Sequence, residues 1–157
     1  MKPSQSEDNK LVLLGVGQVA YHVACLARAY RLIGTTRNKD KIQSFQANGI
    51  TSFFIENDFT FQQQIDLTNI LTNAYVLVSF PPDEDSDKFF SSLCSESKRI
   101  IYISSTSVYG HYHGIVDETT QTDWQNTRSK LRLEAEKYWL EKGAIILRAP
   151  GLYGPAS

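Results

Sequence analysis

The chain has 157 residues, enough for one domain with a substantial core, and its 41% hydrophobic and 21% charged residues are ordinary globular values. A formal net charge of −1 offers no electrostatic case for binding nucleic acid or an anionic membrane. No apolar run approaches the ~20 residues that cross a bilayer, and no metal-ligand spacing stands out.

The first segment, Met1 to Asn9, is polar and mixed in charge, lacks the apolar stretch of a secretory signal, and reads as a flexible lead-in to a domain covering 10–157. A first strand follows over Lys10–Leu14. It runs into Gly15-Val16-Gly17-Gln18-Val19-Ala20, a Gly-x-Gly-x-x-Ala turn opening a helix. This is the form of a dinucleotide-binding turn. Gly15 permits the tight exit from the strand, Gly17 lets a pyrophosphate approach the backbone, and Ala20 lets helix and strand pack closely. The N–H groups at the helix start, at Gln18 and Val19, then meet the anion.

The pattern predicts a helix from Gln18 to Tyr30, with Val19, Ala20, Val23, Ala24, Leu26 and Ala27 toward a sheet. Cys25 here and Cys94 further on each sit in an apolar helical pattern and read as buried free thiols of a reduced, cytoplasmic protein. The second strand is Arg31–Thr36. Its end carries Thr36, Arg37, Asn38 and Lys39 and no carboxylate, where an NAD site usually has an acid for the ribose 2′-hydroxyl. Arg37 suits a 2′-phosphate, with Thr36 or Asn38 adding hydrogen bonds, so NADP is favoured over NAD; the plainer reading of Arg37 and Lys39 is solvated charges near a helix start.

A short helix near Asp40–Ala47 stops at Asn48-Gly49, and a third strand spans Ile50–Ile55. Asp58 follows it, placed either to touch an adenine or to cap the next helix, Phe61–Leu71. The fourth strand, Ala74–Ser79, ends at Phe80-Pro81-Pro82, which bars strand continuation. Next come a helix from Asp85 to Glu96, a β-rich strand at Arg99–Ser104, a long loop over Ser105–Gln125, a helix over Thr127–Lys142 and a last strand at Ala144–Leu147. Six strands alternating with helices predict an α/β fold with one doubly wound parallel sheet, order 3-2-1-4-5-6, and a ligand at the carboxyl ends of the strands.

The ordered set of the glycine turn, Ser104-Ser105-Thr106-Ser107-Val108-Tyr109-Gly110 and Leu147-Arg148 with Tyr153-Gly154-Pro155 resembles the extended short-chain dehydrogenase/reductase superfamily. More closely it is similar to the atypical NAD(P)-dependent epimerase/dehydratase and nucleoside-diphosphate-sugar epimerase-like members, over about Leu11 to Pro155. The resemblance implies an NAD(P)-binding Rossmann domain acting on a sugar nucleotide or similar polar substrate. It implies that Ser105 hydrogen-bonds the reacting oxygen and that Lys130 holds the nicotinamide ribose, these two forming the catalytic pair. It places Phe80, Pro81, Asp58 and Pro150 along the cofactor. A loop-start hydroxyl that satisfies backbone groups is the plainer reading of Ser105.

One departure is sharp. The family's acid/base tyrosine stands four residues before the lysine, and here that position is Asn126, which exchanges no proton near neutral pH. Tyr109 reads as structural. His111, Tyr112 and His113 read as exposed loop residues first, as pocket residues second and as a metal pair last, since no third ligand stands at a sensible spacing. Full-length relatives of the resembled family continue into a smaller substrate-closing region, so the chain is expected to lack it, as a shortened form or a naturally short relative, with a second copy as one way to cover the sheet edge. Two functions stand side by side: the cofactor domain of an epimerase/dehydratase-like oxidoreductase, and a non-catalytic NADP-binding sensor or regulatory module.

Overall fold

The computed structural model describes residues 9–56 and 59–151. Asp58, Tyr153, Gly154, Pro155 and the segment 1–8 lie outside the described residues, so the cofactor role expected of Asp58 has no structural counterpart here. The elements alternate as expected: β1 Lys10–Leu14, α1 Gln18–Leu26, β2 Arg31–Thr36, α2 Lys41–Ala47, β3 Ile50–Phe54, α3 Phe61–Leu71, β4 Ala74–Val78, α4 Glu84–Leu93, β5 Arg99–Ser105, α5 Thr127–Leu140 and β6 Ile145–Ala149. A 3-10 turn, Thr106–Tyr109, follows β5 directly. All six strands are parallel, in the order β3-β2-β1-β4-β5-β6. This is the doubly wound Rossmann-type sheet, with β1 at its centre.

The pleat of β1 sorts the core. Leu11 and Leu13 face α1 and α2, packing with Ala20, Ala24 and Phe45. Val12 and Leu14 face the other way, against Leu67 and Leu71 of α3, Phe90 of α4 and Trp139 of α5. Successive side chains of a strand point to opposite faces, so a strand buried on both sides is apolar throughout. Ala20 is fully buried, as its place in the turn requires.

Several boundaries shift for tertiary reasons. Helix α1 ends at Leu26 instead of Tyr30, because the chain must reverse over 27–30 to bring Arg31 beside Lys10 at the start of the sheet. Leu26 is 87% exposed and does not face the sheet; Ala20 and Ala24 hold that face alone, with Val23 and Ala27 at its margin. Cys94 is buried, but Cys25 is only half-buried, against expectation. Helix α4 stops at Leu93, and β5 takes in Ser105, so the long loop opens with a 3-10 turn. Strand β6 runs two residues further than its sequence pattern, in register with Ile101 to Ser105.

Candidate functional site

The turn after β1 is gripped from both sides. Gly15 has φ +78°, and a Cβ there would lie 2.8 Å from Phe80 Cβ, so glycine is required by conformation and by space. Its N–H donates to Thr35 Oγ1 at 2.9 Å, and its carbonyl accepts from Ser79 Oγ at 2.6 Å. The turn is thus tied to β2 and to the end of β4. Gly17 differs. Its φ is −93°, and an added Cβ would meet nothing within 4 Å. Neither backbone geometry nor a protein neighbour demands glycine there. Gly17 is also the N-cap of α1, and no side chain caps that helix. Among the described residues no side chain accepts from the leading N–H groups of α1.

Two adjoining clefts meet at this turn and at Phe80-Pro81. The first, about 380 Å³, has Gly15, Val16, Thr36, Arg37, Pro81 and Asp83 on its walls. The second, about 370 Å³, has Gly17, Gln18, Val19, Ser105, Arg132 and Pro150. Each lies within the ~300–1,000 Å³ usual for ligand sites. Together they run along the carboxyl ends of the strands, where open α/β sheets bind ligands.

In the first cleft Arg37 is exposed and reaches across to α4: its Nη2 donates to Ser86 Oγ at 3.0 Å. The Ser86 hydroxyl in turn donates to the Asp83 carboxylate, which also caps α4 by accepting from Ser86 N at 3.2 Å. Thr36 is occupied in the turn after β2, where its Oγ1 accepts from Asn38 N at 3.0 Å.

In the second cleft Ser105 ends β5 and caps the 3-10 turn, its Oγ accepting from Ser107 N at 3.1 Å. The plain reading of this hydroxyl is thus realised, and its own proton still remains to donate into the cleft. Lys130 is absent from the walls. Its side chain is 55% exposed, with Nζ 3.8 Å from Glu134. Asn126 is the N-cap of α5, its Oδ1 accepting from Arg128 N at 3.0 Å and Ser129 N at 3.2 Å. Arg132, which the sequence reading did not single out, reaches the cleft floor instead.

A buried polar network supports this end. Glu136, 2% exposed, accepts from Ser104 Oγ at 2.5 Å and receives both Arg148 Nε, at 3.1 Å, and Nη2, at 2.8 Å. Arg148 Nη1 also donates to Tyr109 OH at 3.1 Å, and Tyr109 OH donates to the Asp117 carbonyl at 2.8 Å. Tyr109 is therefore structural, as its motif suggested. The Glu136 carboxylate pushes the Arg148 guanidinium further toward its charged form, against the pull of burial. His111, Tyr112 and His113 are exposed, and among the described residues no group of three or more His, Cys, Asp or Glu is placed to hold a metal. Among the described residues no helix is long and apolar enough to cross a membrane.

This sheet order, turn and strand-end cleft define a Rossmann-type α/β domain. No protein-family profile matches the chain. It is 30% identical to protein YeeZ of Escherichia coli K12 over 164 aligned residues, covering 93% of this chain and 60% of that protein. The chain thus spans about 60% of the length of this curated relative. Among solved structures it is similar to a conserved protein of unknown function from Silicibacter pomeroyi, with a TM-score of 0.75 and 25% identity over 93% of this chain and 54% of that one. It shares its fold with UDP-glucuronic acid 4-epimerase of Bacillus cereus, solved in complex with NAD, at a TM-score of 0.69 and 22% identity, over 93% of this chain and 58% of that one.

Proposed function

We propose that this chain is the nicotinamide-dinucleotide-binding domain of an epimerase/dehydratase-like oxidoreductase acting on a sugar nucleotide or similar polar substrate. The observation that carries the reading is Gly17: a glycine with ordinary backbone geometry, open space above it and an uncapped helix behind it. A pyrophosphate accounts for all three, since it needs backbone approach and accepts from the free N–H groups. The NAD complex of the Bacillus cereus epimerase, on the same fold, supports the choice of cofactor class.

In this reading Gly15, Gly17, Gln18 and Val19 hold the diphosphate, and Phe80 and Pro81 wall the nucleoside. Arg37 exchanges its Ser86 contact for a 2′-phosphate, which favours NADP. Bound there, the cofactor supplies hydride chemistry. The Ser105 hydroxyl, in the second cleft, orients a substrate oxygen.

A second reading, a module that binds NADP without turnover, is favoured by Asn126. Its side-chain oxygen is committed to capping α5, and the position offers no exchangeable proton.

Titration calorimetry with NADP and NAD tests the proposal. Binding of either is expected, tighter for NADP, with the NADP preference lost in Arg37→Ala and all dinucleotide binding lost in Gly17→Val. Absence of binding at millimolar ligand rejects the cofactor reading. Hydride transfer to or from any nucleotide sugar rejects the non-catalytic one.

A further inference from the structure

Helix α5 carries Arg132 at the second cleft and Lys130 two residues earlier, and the helix turn separates them. Its buried residues include Ser129, Leu133, Glu136 and Trp139, which mark the side facing the sheet. Arg132 lies on that side. Its Nη1 stands 3.4 Å from Tyr102 OH and 3.4 Å from the Ile103 carbonyl, and it shares the cleft with Gly17 and Ser105. Lys130, two residues earlier and some 200° around the helix, points away toward Glu134.

Arg132 is the one charged side chain among the described residues of that cleft. Both of its hydrogen bonds are long and use a single nitrogen, so most of its five donors have no partner among the described residues. The neighbouring carboxylates take their direct hydrogen bonds elsewhere: Asp87, whose charge attracts Arg132 without a direct contact, accepts from Trp139 Nε1 and Asp83 N, and Glu136 is paired with Arg148. A guanidinium held at the strand ends by two weak contacts, with no ion pair among the described residues, suits a ligand that offers paired oxygen acceptors.

We propose that Arg132 is the positioning cation of this site, its guanidinium holding the oxygens of the cofactor's nicotinamide-side phosphoribosyl half. That is the task which the family resemblance gives to Lys130. The inference rests on the dinucleotide reading above. The cofactor is preferred to a substrate as the source of those oxygens because the glycine turn lines the same cleft.

Calorimetry on the wild type and on Arg132→Gln, Arg132→Lys and Lys130→Gln, with NAD, NADP, AMP and UDP-glucose, tests it. AMP lacks the nicotinamide-side phosphoribosyl half. Arg132→Gln is expected to weaken NAD or NADP by about tenfold or more, the loss of one charge-assisted contact. AMP affinity and Lys130→Gln are each expected to change by less than about twofold. Arg132→Lys keeps charge and stem and is expected to recover part of the loss; it replaces the Gln variant if thermal denaturation shows that one to be unfolded. Unchanged dinucleotide affinity in Arg132→Gln, an equal loss for AMP, or a loss confined to UDP-glucose overturns the proposal while leaving the dinucleotide reading intact. A wild type that binds neither NAD nor NADP removes both.

Discussion

Trp139 Nε1 donates a hydrogen bond to Asp87 Oδ1 over 2.7 Å, between two side chains with no solvent exposure. The other oxygen, Oδ2, accepts from Asp83 N at 2.9 Å. One buried carboxylate thus ties α5, which carries Arg132, to the start of α4, where Ser86 bonds both Asp83 and Arg37. Burial pushes the Asp87 carboxyl upward, and the two donors pull it back toward ionisation. Both ends of the candidate cleft therefore lean on one pair.

Replacing Trp139 by Phe leaves Asp87 Oδ1 buried without a donor and opens a small void. The expected cost is about 2–4 kcal/mol, read as a lower midpoint in urea unfolding. Tyr138→Phe, which removes only a long contact to Glu84 at 3.4 Å, is expected to change stability by less than about 0.5 kcal/mol. Equal effects from the two variants would show that the buried pair contributes nothing special.

The two glycines of the turn separate folding from binding. Gly15→Ala forces a side chain into a left-handed backbone against Phe80 and is expected to destabilise by about 1–3 kcal/mol. A Cβ at position 17 meets no protein atom within 4 Å, and Gly17→Ser places a favoured N-cap residue on α1, so stability is expected to stay within about 1 kcal/mol. Under the proposed function, dinucleotide affinity is nevertheless expected to fall about tenfold or more with Gly17→Ser, because Cβ and Oγ would fill the space that a diphosphate needs. Thermal denaturation with and without ligand reads both effects.

Asn126 is expected to behave as a helix cap. Asn126→Ala loses about 1 kcal/mol, a fall in Tm of about 2–4 °C for a domain of this size. Asn126→Asp restores the cap and places a negative charge at a helix N-terminus, so its Tm matches or exceeds the wild type. A Tm fall equal to that of Ala in the Asp variant would discard the capping account.

Stability is expected to decline on the alkaline side. Burial pushes the Cys94 thiol up to about 11 and the Tyr102 phenol up to about 12, from ordinary values of 9.0 and 10.0. Between about pH 9 and 12 the unfolded chain has released protons that the folded chain still holds. The stabilisation, complete below pH 9, is therefore lost as pH rises through the folded-state values. A Tm profile from pH 7 to 11 should be level to about 8.5 and fall thereafter. At pH 8 a thiol reagent is expected to reach half-buried Cys25 in the native protein and Cys94 only after unfolding. Native-state labelling of Cys94 at the rate of Cys25 would contradict this.

Much of the fold was legible because its signals are local. The alternation of β-rich runs with helical periods, the glycine turn and the Pro81-Pro82 stop each arise from neighbours in the chain, and handedness then restricts the strand order. What the sequence leaves open lies where distant contacts decide. Leu26 belongs to the apolar pattern of α1, yet the need to pair Arg31 with Lys10 ends the helix and leaves Leu26 outside. On α5, the motif spacing pointed to Lys130, while the buried positions Ser129, Leu133 and Glu136 place Arg132 on the cleft side. Counting the helix turn from Trp139 back to Arg132 is the sequence signal that was available for it.

From its amino-acid order alone this chain determines a doubly wound parallel sheet and the cradle at Gly15 and Gly17, since both depend on backbone freedom and short-range periodicity. Only the tertiary structure decided which charged groups stand at that cradle. Arg37 bonded to Ser86, Arg132 beside the Tyr102 hydroxyl and Lys130 turned to Glu134 are outcomes of how helices seat on the sheet. Long side chains go where packing leaves room and partners, and no spacing rule along the chain contains that information.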